Sequence, residues 1–359
     1  MSNKVLFFVN SFSRTGSETL IYEFIQALQK QNLFKIGVVI CDKKGELTDS
    51  IDQNISIYYL NQNFSPLDKI QFHAGIDVIG NQLAKIQKDF NPTLWYFNTI
   101  SQCHLLAYKK RFQVKTIVHV HELLYNFESF GSKDFSLLLD SCDHLIACSP
   151  LVKDLFKPFF TNPITVVNSS IKFDHWKEFR RGKNASSNKK IKIVSSGTIC
   201  YRKGTDLFIK VADILRSPSL EFIWLGKPTN SAYSEIIRLT NEKLKSVKFI
   251  ETESEEDYIA QLRQGDIFVS TSREESMGLV MLEAQALGMP ILATNSGGST
   301  LLVSPSTGQL VNEFNPENIA IGLKEVINNL PSFKNTSKPK FDFPLEYQKL
   351  SILLQDLLS

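Results

Sequence analysis

The 359-residue sequence lacks several features that mark common classes of protein. Its five cysteines (Cys41, Cys103, Cys142, Cys148 and Cys200) have neither paired nor metal-ligand spacing, which is typical of thiols in a reducing compartment. No apolar run has the length needed to cross a membrane, and the formal net charge of +3 is too small to indicate a nucleic-acid surface. We therefore expect a cytoplasmic protein that binds no nucleic acid.

The sequence also has no obvious set of metal ligands. It contains no Asp-x-Asp element, which would supply carboxylates to a divalent cation. His119 and His121 are close in sequence, but no cysteine or carboxylate cluster at metal-ligand spacing completes a zinc site around them. We therefore predict that the protein needs no metal ion.

The sequence does contain short apolar runs that alternate with helical patterns, and this alternation occurs twice. The first series of predicted strands covers residues 4–10, 34–41, 55–60, 93–97, 116–119 and 144–147. The second series covers residues 190–195, 222–225, 247–250, 267–270 and 289–294. Continuous apolar strands with intervening helices are typical of parallel sheets, so an α/β protein with two Rossmann-like domains is predicted.

The change in composition between the two series predicts the domain boundaries. Residues 1–172 form the predicted N-terminal domain, and the charged, aperiodic stretch 173–189 is interpreted as a linker. Residues 190–343 form the predicted C-terminal domain, and residues 344–359 form a final helix. In such folds ligands bind beyond the carboxyl ends of the strands.

Residues 272–284 place two carboxylates, Glu275 and Glu283, eight positions apart around the start of a predicted helix. Gly278 allows a ligand to approach the backbone closely, and the free N–H groups of a first helical turn favour an anion such as phosphate. The alternative is a pair of solvated glutamates on a surface helix, but the glycine and the flanking strands favour a site.

A second candidate cluster follows the predicted strand at 190–195. Arg202 and Lys203 come after Gly197 and precede a predicted helix, so their charges lie at strand ends. There they could stabilise a diphosphate. An ordinary solvated Arg-Lys pair is the alternative.

Further candidates lie near the ends of N-terminal strands. His121 and Glu122 follow the predicted strand at 116–119, and Asn98 follows the strand at 93–97. Gly16 lies in the first loop, where its backbone could contact a phosphate or a sugar. In that loop Thr15 and Glu18 also fit a capping box, which is a structural alternative.

Taken together, these residues resemble the E-x7-E signature of the family-four glycosyltransferases (glycosyltransferase group 1), and the resemblance covers nearly the whole chain. It implies the GT-B fold: two Rossmann-like domains facing a deep interdomain cleft, with a C-terminal helix that crosses back to the N-terminal domain. Two positions depart from the family pattern. Thr198 occupies the place of the usual arginine, and Leu301 occupies the place of a glutamate.

The resemblance implies a retaining hexosyltransferase of polysaccharide biosynthesis, which moves a sugar from a nucleotide-sugar to a saccharide or a lipid-linked oligosaccharide. UDP-glucose is the first expectation for the donor and GDP-mannose the second, with no cofactor. A non-hydrolysing UDP-sugar epimerase of the same fold and a catalytically silent nucleotide-sugar-binding subunit remain alternatives.

The resemblance also implies roles for individual residues. The expected catalytic residues are His121, Arg202, Lys203 and Glu275, and acceptor contacts are expected from Asn98 and Glu122. The residues expected to bind the donor are Gly16, Gly197, Thr198, Arg202, Lys203, Gly226, Ile250, Glu275, Ser276, Met277, Gly278, Leu279 and Glu283.

Two segments, 109–112 and 153–160, combine cations with aromatic side chains. They are interpreted either as solvated helices with a buried aromatic side or as weak contacts to anionic lipid at the inner face of the membrane.

Overall fold

The computed structural model describes residues 3–60, 77–180, 190–333 and 341–359. The chain divides into two compact units. The N-terminal unit comprises Met1–Ser169 and Pro344–Ser359, and the C-terminal unit comprises Ser170–Phe343.

The N-terminal unit is built on a seven-stranded parallel sheet in the order β3-β2-β1-β4-β5-β6-β7. The strands are β1 Lys4–Val9, β2 Lys35–Ile40, β3 Ser56–Tyr59, β4 Leu94–Phe97, β5 Lys115–Val120, β6 His144–Ala147 and β7 Ile164–Val166. Its helices are α1 Gly16–Gln31, α2 Val78–Phe90, α3 Lys109–Phe112, α4 Leu124–Phe127, α5 Ser132–Ser141 and α6 Pro150–Phe156, with 3-10 turns at Glu46–Ser50 and Ile100–Tyr108. Central strands such as β4 and β6 are buried throughout because helices cover both faces of the sheet.

The C-terminal unit repeats this scheme with six parallel strands in the order β10-β9-β8-β11-β12-β13. The strands are β8 Ile191–Ser196, β9 Leu220–Leu225, β10 Lys248–Ile250, β11 Ile267–Ser270, β12 Ile291–Thr294 and β13 Gly308–Val311. Its helices are α7 Phe173–Glu178, α8 Thr205–Ile214, α9 Ala232–Leu244, α10 Glu255–Leu262, α11 Leu279–Ala286, α12 Ser299–Leu302 and α13 Pro316–Asn328, with 3-10 turns at Tyr201–Lys203 and Leu330–Ser332. The strand order reverses between β8 and β11, and ligands of such sheets bind at this reversal.

The last helix, α14 (Phe343–Leu358), packs on the N-terminal unit, as predicted. The Tyr347 hydroxyl donates to the Ala27 carbonyl oxygen at 3.1 Å, and the Tyr347 ring stacks near Phe24. The buried Glu346 carboxylate accepts the Asn168 backbone N–H at 2.8 Å. This contact ties the returning helix to the point where the chain leaves the unit.

Two sequence-based expectations differ from the structure. The predicted linker begins with a helix, α7, because Phe173 and Trp176 are buried in the core of the C-terminal unit. The rest of the predicted linker, residues 181–189, lies outside the described residues. The strands β7 and β13 were not predicted, because they are edge strands without a continuous apolar run.

The two segments that combine cations with aromatic residues mostly fit the solvated-helix alternative. Phe112, Phe156 and Phe160 pack with the core of the N-terminal unit, whereas Phe159 remains 58% exposed. Among the described residues, no helix has both the length and the apolar character needed to cross a membrane.

Candidate functional site

The loops that follow β8 and β11 meet at the reversal of strand order in the C-terminal unit. The Lys203 ammonium donates to Glu275 Oε1, although 72 residues separate the two along the chain. Arg202 Nη1 lies 3.6 Å from the same oxygen, and Ser272 Oγ donates to it at 2.9 Å. Glu275 is only 5% exposed, so two cations from one loop converge on a buried carboxylate of the other.

The backbone of Glu275 is fixed as firmly as its side chain. Its N–H donates to the Ser296 carbonyl oxygen at 2.8 Å, and its own carbonyl oxygen accepts the Gly298 N–H at 2.7 Å. These bonds form a single parallel bridge between Glu275 and Gly297, in the loop after β12. The loops that follow three adjacent strands therefore position this carboxylate.

The electrostatic surroundings keep Glu275 ionised. Burial alone would raise the pKa of its carboxyl group, but the charges of Lys203 and Arg202 outweigh burial and hold that pKa below its usual value. Two positive charges against one negative charge leave an excess of one. The cluster is thus suited to bind an additional anion.

Arg273 holds the 3-10 turn that carries both cations. Its guanidinium donates to the two Asp206 carboxylate oxygens at 2.8 and 2.7 Å and to the Tyr201 carbonyl oxygen at 2.7 Å. It also stacks on the Tyr201 ring, 3.8 Å from the centroid, and its backbone N–H donates to the Arg202 carbonyl oxygen. The sequence analysis did not predict a role for Arg273, although it lies within the stretch 272–284.

Glu283, the second predicted glutamate, lies on α11. It accepts a hydrogen bond from the Tyr258 hydroxyl at 2.8 Å. Burial raises the pKa of Glu283 to about 7, and the positive charge of Lys203 acts in the opposite direction. Glu275 and Glu283 therefore both lie within electrostatic reach of Lys203.

The start of α11 leaves backbone N–H groups available. Gly278 occupies the N-cap position with φ 90° and makes no side-chain cap bond. Neighbouring Met277 is buried and Leu279 packs on the same core, so the backbone rather than these side chains can face a ligand. Ser276 completes this loop.

The other predicted donor-binding positions lie on neighbouring loops. Gly226 (φ 156°) follows β9, and a Cβ on it would lie 2.0 Å from the Gly197 carbonyl oxygen, so only glycine fits there. Its N–H donates to the Ile250 carbonyl oxygen at 3.0 Å. Of the two positions that depart from the family pattern, Thr198 is exposed and Leu301 packs against the core around α11.

The N-terminal unit carries a different cluster at its own strand ends. His121 Nε2 lies 3.4 Å from Asn98 Oδ1, and Glu122 accepts the His121 backbone N–H at 2.8 Å and a bond from the Thr99 hydroxyl. The His119 ring lies 4.0 Å from the His121 ring, between centroids. Three predicted residues of this unit, Asn98, His121 and Glu122, are therefore brought together.

The histidines of this second cluster are uncharged at neutral pH. Burial lowers the pKa of His121 to about 3 and lowers that of His119 as well, while burial raises the pKa of Glu122. At neutral pH the imidazole of His121 therefore carries no charge, so it offers hydrogen bonds rather than a positive charge.

Gly16 begins α1, but the capping box suggested at this point does not form. Thr15 occupies the N-cap position without a side-chain cap bond. Glu18 instead accepts the backbone N–H groups of Ser11 and Ser13 at 2.8 and 2.7 Å. Its carboxylate thus shapes the loop that follows β1, and the Thr15 N–H donates instead to the Ser13 carbonyl oxygen at 2.8 Å.

The structure also bears on whether a metal ion could bind. Over the described ranges, His, Cys, Asp and Glu side chains form no group of three or more that could hold a metal ion. The positive charge of the C-terminal cluster comes from Arg202 and Lys203.

Comparison with known proteins shows what the sequence and the fold resemble. Residues 177–339 match the family model of the glycosyl transferases group 1. A mannosyltransferase of Corynebacterium glutamicum, named as GDP-mannose-dependent and acting on a monoacylated phosphatidylinositol monomannoside, is 30% identical over 146 residues. That match spans only 38% of this chain and 38% of the relative. An uncharacterized glycosyltransferase of Haemophilus influenzae is 25% identical over 352 residues, or 91% of each chain.

Solved structures give the fold. HepE of Anabaena, crystallised with UDP and glucose, superposes with a TM-score of 0.80 at 16% identity, over 98% of this chain and 99% of that one. Sucrose-phosphate synthase of Thermosynechococcus elongatus gives a TM-score of 0.78 at 13% identity, over 99% of both chains. Residues 177–339 therefore resemble the glycosyl transferases group 1 family, and the chain has the two Rossmann-like halves of the GT-B fold.

Proposed function

We propose that this chain is a retaining hexosyltransferase of polysaccharide biosynthesis, which transfers a sugar from a nucleotide-sugar to a saccharide or a lipid-linked oligosaccharide. The observation that carries the proposal is the convergence of Lys203 and Arg202 on buried Glu275, at the reversal of strand order. An excess positive charge at the carboxyl ends of parallel strands suits a diphosphate.

In this proposal Arg202 and Lys203 stabilise the departing nucleoside diphosphate. Negative charge grows on the diphosphate as its bond to the sugar breaks, and fixed cations at that place lower the barrier. Arg202 supplies the charge that the usual arginine would provide at Thr198, because its guanidinium already lies 3.6 Å from Glu275. We propose that the reaction needs no divalent cation, since these two side chains provide the charge.

Glu275 orients the donor sugar, together with the backbone of Ser276, Met277, Gly278 and Leu279. The ion pair with Lys203 keeps its carboxylate ionised, so it can accept hydrogen bonds from sugar hydroxyls. The N–H groups at the start of α11 face the phosphates. Glu283 anchors the ribose through its carboxylate.

We propose that the base of the nucleotide binds beside the ends of β9 and β10. Gly226 and Ile250 are already joined there by a backbone hydrogen bond. A cavity of about 700 Å³ adjoins these ends and is lined in part by Pro228, Phe249 and Glu251. A flat base fits such a space, but these residues do not select uracil over guanine.

The donor is proposed as UDP-glucose, with GDP-mannose as the second candidate. HepE, the similar solved structure, was crystallised with UDP and glucose, which supports the first candidate. The Corynebacterium relative depends on GDP-mannose, which supports the second.

The N-terminal cluster is proposed to contact sugar hydroxyls. His121 and Gly16 are assigned to the donor, and Asn98 and Glu122 to the acceptor. Neutral hydrogen-bonding groups suit hydroxyls better than phosphates, and burial keeps His121 uncharged. Retention of configuration is proposed to follow from attack on the same face, in which the departing phosphate accepts the proton of the acceptor.

Calorimetric titration with UDP, GDP and ADP, each with and without EDTA, tests the donor assignment. We expect micromolar binding of UDP that EDTA does not change. Hydrolysis assays with UDP-glucose and GDP-mannose should then show release of the matching nucleotide. Absence of binding by all three nucleotides would contradict the proposal.

Product analysis separates the alternatives. An epimerase would convert the nucleotide-sugar to an isomer without an acceptor, and a silent binding subunit would bind the donor without turning it over. A transferase releases free sugar in the absence of acceptor and forms a glycoside in its presence. We expect the anomeric configuration of that glycoside to match the configuration of the donor, which nuclear magnetic resonance measures directly.

A further inference from the structure

Tyr258 of α10 contacts α11. Its hydroxyl donates to Glu283 Oε2 at 2.8 Å. The edge of the Trp176 ring packs against the Tyr258 ring, with 6.2 Å between centroids. The ring is therefore held by Trp176, and the hydroxyl fixes one oxygen of the Glu283 carboxylate.

Opposing effects determine whether Glu283 is ionised near neutral pH. Within the described residues, the groups that act on it are Tyr258 and Glu255 of α10 and Lys203 of the loop after β8. Burial raises the pKa of Glu283 to about 7, and Glu255 adds to this effect, whereas the Tyr258 hydrogen bond and Lys203 act against it. Burial also raises the pKa of Tyr258 well above its usual value, so its hydroxyl remains a donor.

We propose that Tyr258 is a positioning residue that orients the Glu283 carboxylate and thereby sets the pH range, near neutrality, over which donor binding strengthens. The proposal deepens the proposed function, because it rests on the contact between Glu283 and the ribose. A carboxylate can accept bonds from ribose hydroxyls with both oxygens, whereas a protonated carboxyl group loses part of this capacity. Donor binding should therefore strengthen as the pH rises and Glu283 ionises.

Titration of the full-length protein with UDP-glucose and with GDP-mannose at pH 6.0, 7.0 and 8.5 tests this inference. A nucleotide-sugar is a suitable probe because its diphosphate is esterified at both ends and does not titrate in this range. For the unmodified protein, affinity should rise on the order of tenfold from pH 6.0 to 8.5. In Glu283→Gln it should be low and independent of pH.

Tyr258→Phe removes only the hydroxyl group. Without its hydrogen bond the carboxylate is less stable, so the pH at which binding reaches half its maximum should rise by about one unit. Affinity should fall by about ninefold at pH 6.0 and by about fivefold at pH 7.0, and it should recover at pH 8.5. A loss of equal size at every pH would show that Tyr258 has a structural role only, and an unchanged profile would also overturn the inference.

Tyr58→Phe is the matched control. The Tyr58 hydroxyl donates to the Asp89 carboxylate at 2.6 Å, which is the same chemistry in the N-terminal unit. This variant should keep the pH profile of the unmodified protein.

A second measurement does not depend on any nucleotide. In protein labelled with ¹³C at the glutamate carboxyl carbons, the Glu283 resonance is assigned by its loss in Glu283→Gln. We expect this resonance to titrate near neutral pH. The midpoint pH of its titration should rise by about one unit in Tyr258→Phe. Failure of both nucleotide-sugars to bind would contradict the proposed function, whereas an unshifted Glu283 titration in Tyr258→Phe would overturn the inference about Tyr258 by itself.

Discussion

The two units have similar parallel sheets but different chemistry at their strand ends. In the C-terminal unit the loops after β8 and β11 are joined by ion pairs, of which Lys203 with Glu275 is the most buried. In the N-terminal unit the corresponding edge holds Asn98 and His121, which burial keeps uncharged, together with Glu122, whose pKa burial raises. The sheet provides the position, and the loops decide whether that position is charged.

This difference indicates which ligand group each edge can bind. The charged edge of the C-terminal unit suits phosphate. Cations that are fixed by neighbouring carboxylates need no rearrangement when an anion binds. An edge that offers uncharged His121 and Asn98 suits hydroxyl groups, which gain from hydrogen bonds but not from net charge. Variants at each edge can therefore separate loss of charge from loss of hydrogen bonding.

The largest effect is expected for Lys203→Ala at the charged edge. Because one cation is removed from the departing diphosphate, sugar transfer should slow by about 10²- to 10³-fold. The same change leaves buried Glu275 without its closest partner, so its pKa should rise. The measurement is kcat for transfer or for donor hydrolysis.

Lys210→Ala is the control for Lys203→Ala, because Lys210 is exposed on α8. It should retain the rate of the unmodified protein. An unchanged kcat in a folded Lys203→Ala variant would remove Lys203 from its assigned role. Thermal unfolding of both variants checks that they are folded.

A smaller effect is expected for Arg273→Lys, which keeps the charge but loses the planar fork. The two bonds to Asp206 and the stacking on Tyr201 require a guanidinium. We expect the free energy of unfolding to fall by about 2 kcal/mol, measured by urea denaturation, with a parallel loss of UDP affinity as the turn loosens.

Arg238→Lys tests whether any paired arginine gives this result. Arg238 forms ion pairs with Glu235 and Glu242 on α9, but about half of its side chain is exposed, at 54%. Exposed pairs contribute little to stability, so this variant should unfold like the unmodified protein. Equal destabilisation by both variants would contradict a special role for Arg273.

The sequence predicted the fold well because buried parallel strands are continuous apolar runs. The runs at His144–Ala147 and Ile267–Ser270 coincide with β6 and β11. Edge strands such as Gly308–Val311 do not have this signal, because solvent reaches part of them. Helix α7 was missed since its buried side chains, Phe173 and Trp176, lie among charged residues.

The candidate site was predictable only in part. The sequence pointed to Glu275 and Lys203 separately, each after a predicted strand. Their contact depends on β8 and β11 being neighbours, which follows from the strand order and not from spacing along the chain. The contacts of Arg273 with Asp206 and of Tyr258 with Glu283 span 67 and 25 residues, so neither residue gave a signal.

The smallest effect is expected at the strand ends of the N-terminal unit, for His121→Gln. Burial lowers the pKa of His121 from 6.5 to about 3, so the unfolded chain binds a proton more readily than the folded protein. The contribution of His121 to stability is therefore complete above pH 6.5 and is lost as the pH falls towards 3. Between pH 7.5 and 5.5 this histidine alone should lower the free energy of unfolding of the unmodified protein by about 1.4 kcal/mol. His121→Gln should lose less stability over the same interval.

Exposed His175 provides the control, because His175→Gln should leave the full pH dependence in place. The measurement is urea denaturation at both pH values. Glutamine can still form a hydrogen bond with Asn98, so a reduced pH dependence would come from the missing titration rather than from a broken contact. If His121→Gln instead kept the pH dependence of the unmodified protein, the imidazole would not be held neutral by burial, and the N-terminal edge would have to be regarded as chargeable like its C-terminal counterpart.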